Sequence, residues 1–431
     1  MKAIEKAENV SITTDSWTSR ATENYIAVTA HYVNEEWRVE NFVLETHKFP
    51  ESHTAENLAK CLKETVETWK LERNGKGPSV TTDNAANIVK AVKETGFESH
   101  IACFAHTLNL ATQRGLKMPQ MERLLRRVTR VVSFFHKSTS ATSALTLMHA
   151  KLGLPKHRLE MDVSTRLNST YDMLERYVQQ QAAVFAAILE LKKKIKDLVT
   201  LSDDDIHNIE TILQVLRPIK TVTTKMCSQT HPTVSMIHPF KEMLLKHLKQ
   251  SFEDNTLVAD VKRVIRFDLE SRYTGTVLDY LLTASAVDPR FKRMPYLDEA
   301  GRHKVYQALQ DAAIQFHLSQ VEAVRIKTEP GEQSGPAIPT LPSMPTTDLE
   351  NEELQGEATE PVLKTENREE AHSTLSDLFG DVFVVKVEEG LSVYDRLDAE
   401  VKSYRNDEFL VLEGDPLLWW REGGRESIPP S

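Results

Sequence analysis

Apolar and polar residues alternate in three stretches near the N-terminus, VSITTD, NYIAVTAHYV and EWRVENFVLETHKF, which predict three short strands in an antiparallel meander. From His53 the period lengthens. Leu58, Cys61, Leu62, Val66 and Trp69 fall at helical spacing behind Ser52 and Thr54, residues that favour a helix cap. The loop ERNGKGP, a short strand SVTTD, a helix NAANIVKAVKE and a strand SHIACF follow, so the predicted order is β-β-β-α-β-α-β. Residues 106–150 and most of 170–320 keep helical periodicity, with breaks expected at Pro218, at the HPTV turn near Pro232 and at Asp288-Pro289.

That strand and helix order is the ribonuclease-H-like one, and the fold class it predicts is α/β with a large all-α insertion and a disordered acidic C-terminal region. The expected division is a ribonuclease-H-like core over 1–180, a helical domain over 181–320, a Pro-rich acidic linker over 321–372 and a short C-terminal segment over 373–431. The chain has 431 residues, 40 % of them hydrophobic, enough for packed cores. Its net charge of −10 is unevenly spread: residues 331–431 carry −15 and leave +5 for the first 330. The whole-chain value therefore does not exclude a polyanionic partner. Three widely spaced cysteines, Cys61, Cys103 and Cys227, argue against a disulfide framework and a Cys-rich zinc site. No apolar run approaches the length of a membrane span. The polar first twenty residues do not resemble a signal peptide, so a reducing, intracellular setting without membrane attachment is expected.

TTDSW and TTDNA each place an aspartate, Asp15 and Asp83, at the end of a predicted strand. In a sheet where the first and fourth strands adjoin, the two carboxylates project side by side from strands about 4.8 Å apart. Such a pair can share Mg²⁺ or Mn²⁺ and support phosphodiester displacement. Asp83 is equally able to cap the helix that follows it. Cys103 and His106 form a C-x-x-H at a strand-to-helix junction, two ligands short of a structural zinc site; a packed thiol and a structural imidazole explain them as well. Residues 111–160 carry a net charge of +8. Within them Arg123, Arg126, Arg127 and Arg130 lie on a helix whose opposite face is apolar, suited to phosphate contacts or simply to solvent.

The chain resembles the hAT (hobo/Activator/Tam3) superfamily of DNA transposases, and among them the animal BED-finger relatives, many of them domesticated. The resemblance is carried by TTDSWTS (13–19), T-x-D-N-A-x-N (81–87), CFAHTLNL (103–110), DVSTRLNSTYDMLER (162–176), AVDPRFK (286–292) and GDPLLWW (414–420). It implies that Asp15 and Asp83 match the first two acids of a catalytic Asp-Asp-Glu set, with His106 beside them and Mg²⁺ or Mn²⁺ as the metal. It further implies DNA contacts by Trp17, the basic helix and Arg166. Three departures stand out. No Ser-Glu-Arg motif with the third acid follows GDPLLWW, Leu167 replaces an aromatic implicated in base stacking, and no BED zinc finger precedes the first strand. The expectation is a catalytically inactive, domesticated transposase acting in the nucleus on DNA or transcription. The alternatives are a fragment of an active transposase and a SUMO-pathway factor. The shortened C-terminal segment puts homodimerisation in doubt. Finally, VRIKTEP, VLKTEN and VVKVEE resemble SUMO acceptor sites at Lys327, Lys364 and Lys386, so SUMO machinery is an expected partner.

Overall fold

A computed structural model describes residues 2–19, 21–73, 75–97, 99–163, 166, 168–191, 200–328 and 392–423. A short helix α1 (Lys2–Lys6) leads into strands β1 (Ser11–Thr18), β2 (Asn24–Val33) and β3 (Val39–Lys48), then helix α2 (Ala55–Thr68), β4 (Ser79–Thr82), α3 (Ala86–Thr95) and β5 (His100–Ala102). The five strands form one sheet in the order β3-β2-β1-β4-β5. The first three pair antiparallel, whereas β4 joins β1 and β5 joins β4 in parallel. The ribonuclease-H-like α/β reading of the alternating pattern is what the structure shows.

Period-two alternation sorts β1 cleanly. Ile12 and Thr14 are buried, while Thr13, Asp15 and Trp17 point to the other face. On the buried side Ile12, Ile26, Val28 and Val80 pack against Leu58 and Leu62 of α2 and against Ile88 and Val92 of α3. The α2 cap is the expected one, with Thr54 accepting from the Asn57 N–H.

A second core starts at Ile101 and is built by helices: α4 (Phe104–Leu116), α5 (Pro119–Lys137), α6 (Thr139–Leu152), α7 (Ser169–Leu191), α8 (Asp203–Met226), α9 (Val234–His247), α10 (Thr256–Glu270) and α11 (Thr276–Val287). The expected division at 180 falls inside α7, whose buried residues belong to this one core on both sides of that position. Pro218 does not break its helix: α8 continues through it, correcting the sequence expectation. A mid-helix proline costs about 3 kcal/mol. Val215, Leu216, Ile219 and Val222 are all buried around it, and that burial outweighs the loss. The breaks at the HPTV turn and at Asp288-Pro289 stand where the sequence places them, since α9 begins at Val234 and α11 ends at Val287.

Helix α12 (Glu299–Thr328) runs past the expected start of the acidic linker at 321. Two further helices follow, α13 (Val393–Asn406) and α14 (Pro416–Arg421). The chain divides into two compact units. One comprises 1–309 with 405–431, and the other comprises 310–404. In the second unit, the described residues are the distal part of α12 and most of α13, where Glu400 is half-buried near Arg396 and His317. The acidic linker beyond residue 328, Lys364 and Lys386 lie outside the described residues.

Candidate functional site

The site grows from the β1–β4 register. Ile12 pairs with Val80 and Thr13 with Thr81 in parallel. Two residues further on, each strand places an aspartate, so Asp15 and Asp83 adjoin at the carboxyl edge of the sheet, where ligands of open α/β sheets bind. The Asp15 carboxyl is raised above its ordinary value, chiefly by partial burial and then by the Asp83 charge; the Ser16 N–H and His106 oppose the shift. Asp83 does not cap α3 directly. Its Oδ1 accepts from the Ala85 N–H at 3.0 Å, forming a turn, while Ala85 occupies the cap position without a side-chain bond.

Cys103 ends β5 and begins α4, and its N–H donates to the Thr82 carbonyl at 2.8 Å. This places His106, in the first turn of α4, beside Asp15. A chain of side-chain bonds locks the junction. Asn84 Nδ2 donates to Thr107 Oγ1 at 3.0 Å, Thr107 lies 3.0 Å from the Tyr273 hydroxyl, and that hydroxyl donates to the Ala102 carbonyl at 2.8 Å. Sequence spacing gave no sign of Tyr273, which follows α10, some 170 positions beyond the residues it holds.

Two neighbouring carboxylates suit a divalent cation, which would offset the Asp83 charge that adds to the burial-driven rise of Asp15. Mg²⁺ is commonly held by one or two carboxylates plus substrate phosphates. Among the described residues, however, no group of three or more His, Cys, Asp or Glu side chains could hold a metal ion. Asp15 and Asp83 thus fit as a two-carboxylate holder, with no further protein ligand among the described residues.

Trp17 lies on the open face beyond Asp15, 40 % exposed, and stacks on Tyr25 with centroids 5.6 Å apart and rings 13° from parallel. On α5 all four arginines are exposed, but they are not equivalent. Arg127 donates to both oxygens of Asp205, at 2.7 and 2.6 Å, and so binds α5 to the capping box of α8. Arg126 pairs with Glu122 on its own helix at 2.7 Å. Of the four arginines expected to suit phosphate contacts or solvent, Arg127 is the one whose guanidinium both Asp205 oxygens occupy. Arg123 and Arg130 form no ion pair among the described residues. Arg166 is exposed elsewhere, at a cleft shared by α4, α7 and α8 whose cavity of about 30 Å³ is too small for a base. Leu167 beside it lies outside the described residues.

Two sequence motifs meet unexpectedly. Leu410 donates its N–H to the Pro289 carbonyl at 3.2 Å, Trp420 Nε1 donates to the Val287 carbonyl at 3.2 Å, and Lys292 stands 5.5 Å over the Trp419 ring. GDPLLWW is thus seated on AVDPRFK. Asp288 underneath accepts from Ser235 Oγ at 2.6 Å and from the Arg290 guanidinium.

Two family models match adjoining stretches in the N-terminal half of the chain: the ZBED1 RNase-like domain over residues 13–102 and the ZBED1 RNase-like helical domain over 101–215. Their junction coincides with the change from sheet to helical core. Similar proteins carry the same stamp. The human Zinc finger BED domain-containing protein 4 is 23 % identical over 78 % of this chain and 29 % of its own length. An AC transposase of Zea mays, so named, is 22 % identical over 95 % of this chain and 49 % of its own. This is a BED-type, hAT-derived protein. A second human relative, Zinc finger BED domain-containing protein 6, is 24 % identical over 77 % of this chain and 35 % of itself. The chain therefore spans between about a third and a half of the length of these curated relatives. Within this hAT-derived chain, Asp15 and Asp83 stand at the ends of adjoining strands, with Cys103 and His106 at the start of the helix that follows β5. No helix among the described residues is long and apolar enough to cross a membrane.

Proposed function

We propose that this protein is a nuclear, DNA-associated regulator that retains the transposase scaffold without transferring DNA strands. The observation that carries this reading is the carboxylate pair. Asp15 and Asp83 adjoin in register, and among the described residues no third acid or imidazole completes a metal-holding group. Bound divalent metal would polarise a phosphodiester and stabilise the attacking and leaving oxygens, which takes more ligands than two carboxylates supply. The chain's own part is to position a backbone: Asp15 and Asp83 at the sheet edge, Trp17 offering a π-face, and Arg123, Arg130 and Arg166 meeting phosphates. Regulation is supported by similarity to a Talaromyces stipitatus protein named as the transcriptional regulator tpeD, 24 % identical over 59 % of this chain.

The test has two arms. Filter binding across a salt series is expected to give a steep, linear loss of affinity, and the slope is expected to fall by about one for each of Arg123→Gln and Arg130→Gln. A flat salt response sinks the DNA reading. Incubation of terminal-inverted-repeat DNA with Mg²⁺ or Mn²⁺ is expected to leave it intact. Nicking that Asp15→Ala abolishes would instead establish the second reading, an active transposase fragment, which the AC transposase alignment over 95 % of this chain favours.

SUMO conjugation at Lys327, Lys364 and Lys386 belongs to the same regulatory proposal. The Lys327 backbone lies in the last turn of α12, while its side chain falls outside the described residues. Replacing all three lysines by arginine is expected to remove SUMO conjugates from the protein in cells. Unchanged conjugation would reject the assignment.

A further inference from the structure

The connector between α8 and α9, residues 227–233, reaches both the sheet and the C-terminal segment. Val222 before it and Ile237 after it belong to the helical core. On the sheet side, three side chains form a line across the open face. His31 on β2 stands opposite Asn41 on β3 and diagonal to Thr13 on β1. Its Nδ1 lies 2.6 Å from Asn41 Oδ1, and its Nε2 lies 2.9 Å from Thr13 Oγ1. An amide oxygen can only accept, so the neutral ring carries its proton on Nδ1 and Nε2 accepts from the Thr13 hydroxyl. With its oxygen turned to His31, the Asn41 amide presents Nδ2 to the connector and donates to the Gln229 carbonyl at 2.8 Å. On the other side, Thr230 Oγ1 lies 2.7 Å from His231 Nδ1, which turns His231 Nε2 toward Asp415, 3.7 Å away. Asp415 caps α14 by accepting from the Leu417 N–H, and α14 carries the buried Trp419. The bond to the sheet and the contact with the C-terminal segment thus sit two positions apart on the connector.

We propose that this connector is a strap coupling the open face of the sheet to the C-terminal segment: the Thr13–His31–Asn41 line latches it, and unlatching at the sheet loosens the seat of α14. Cys227, Ser228, Gln229 and Thr230 are exposed, and His231, Pro232 and Thr233 are only half-buried. The strap is therefore held by polar bonds at its two sides rather than by burial, which places it among the segments that open most easily. Thr13 shares the open face of β1 with Asp15, two residues on. A ligand on that face that displaces His31 or Asn41 thereby reaches α14 without touching it. The coupling stands or falls apart from the DNA reading, because its test contains no nucleic acid.

The test follows two readouts in the full chain: amide hydrogen exchange in residues 410–422, and trypsin cleavage after Lys225, an exposed residue in the last turn of α8. Asn41→Ala, a change at an exposed position, is expected to speed both by about threefold to tenfold, while α2 and β4 exchange as in the wild type. Asn41→Asp keeps the acceptor for His31 but removes the donor to Gln229, and is expected to match Asn41→Ala. His31→Ala is expected to act in the same direction, because Asn41 loses the bond that orients it. His231→Ala is expected to speed exchange in 410–422 and to add nothing further to Asn41→Ala. Faster cleavage with unchanged exchange in 410–422 overturns the coupling. So does wild-type behaviour of Asn41→Asp or His31→Ala, additivity of Asn41→Ala and His231→Ala, or a rise in exchange shared evenly by α2 and β4.

Discussion

Asp15 shows how much a single residue owes to its neighbours. Burial and the Asp83 charge raise its carboxyl above the ordinary 3.8, so the folded state favours the protonated form more than the unfolded chain does. Its contribution to stability is therefore full below pH 3.8 and is lost as pH climbs through the raised folded value. Asp15→Asn is expected to raise Tm at neutral pH, and the gap to wild type should close as pH falls below that window. A pH-independent gap in thermal melts would contradict it. Mn²⁺ is expected to raise the Tm of the wild type and leave that of Asp15→Asn unchanged, because the cation relieves the same repulsion. Tyr273 tests the other side of the junction. Its buried hydroxyl serves Ala102 and Thr107, and Tyr273→Phe is expected to cost about 1 to 3 kcal/mol in denaturant unfolding, leaving Ala102 and Thr107 to lose a partner each.

Among the elements, α4 is the hinge of the architecture: it leaves the last strand, carries His106, and packs on α8 and α10. It lies tight against α10 at Gly115, where an added Cβ would lie 2.7 Å from Ile265 Cγ1 and 3.3 Å from Val261 Cγ1 of α10. Helix propensity alone favours alanine there by about 1 kcal/mol. The clash decides the sign, because overpacking a dense core costs about 1 to 3 kcal/mol. Gly115→Ala is expected to lower stability in urea unfolding, and a gain in stability would show that α10 can move aside. At α8 the balance falls the other way, and core burial holds Pro218 inside a continuous helix.

At the scale of the whole molecule, a segment far along the chain closes on the body. Trp419 is 4 % exposed, and α14 is capped by Asp415 accepting from the Leu417 N–H at 2.9 Å. His231 of the α8–α9 connector stands 3.7 Å from the same aspartate. Truncating such a buried indole typically costs about 3 to 5 kcal/mol. Trp419→Ala is expected to expose residues 405–423 to hydrogen exchange while the sheet keeps its protection. Uniform loss of protection would show instead that the clasp and the body unfold as one.

The sequence by itself determined the local and periodic features. Alternation fixed which side of β1 faces the core, the change of period at His53 announced α2, and Thr54 capped it, because these depend on neighbours within a few residues. The motif order also brought Asp15 and Asp83 to adjacent strands, since a known strand order turns spacing into proximity. Tertiary structure alone decided the rest. It showed that Arg127 is bound to an aspartate 78 positions away, that Tyr273 holds the strand junction, and that GDPLLWW rests on AVDPRFK. Each of these is a pairing across long chain separation, and no periodicity within one segment records which distant partner removes a charge or a ring from solvent.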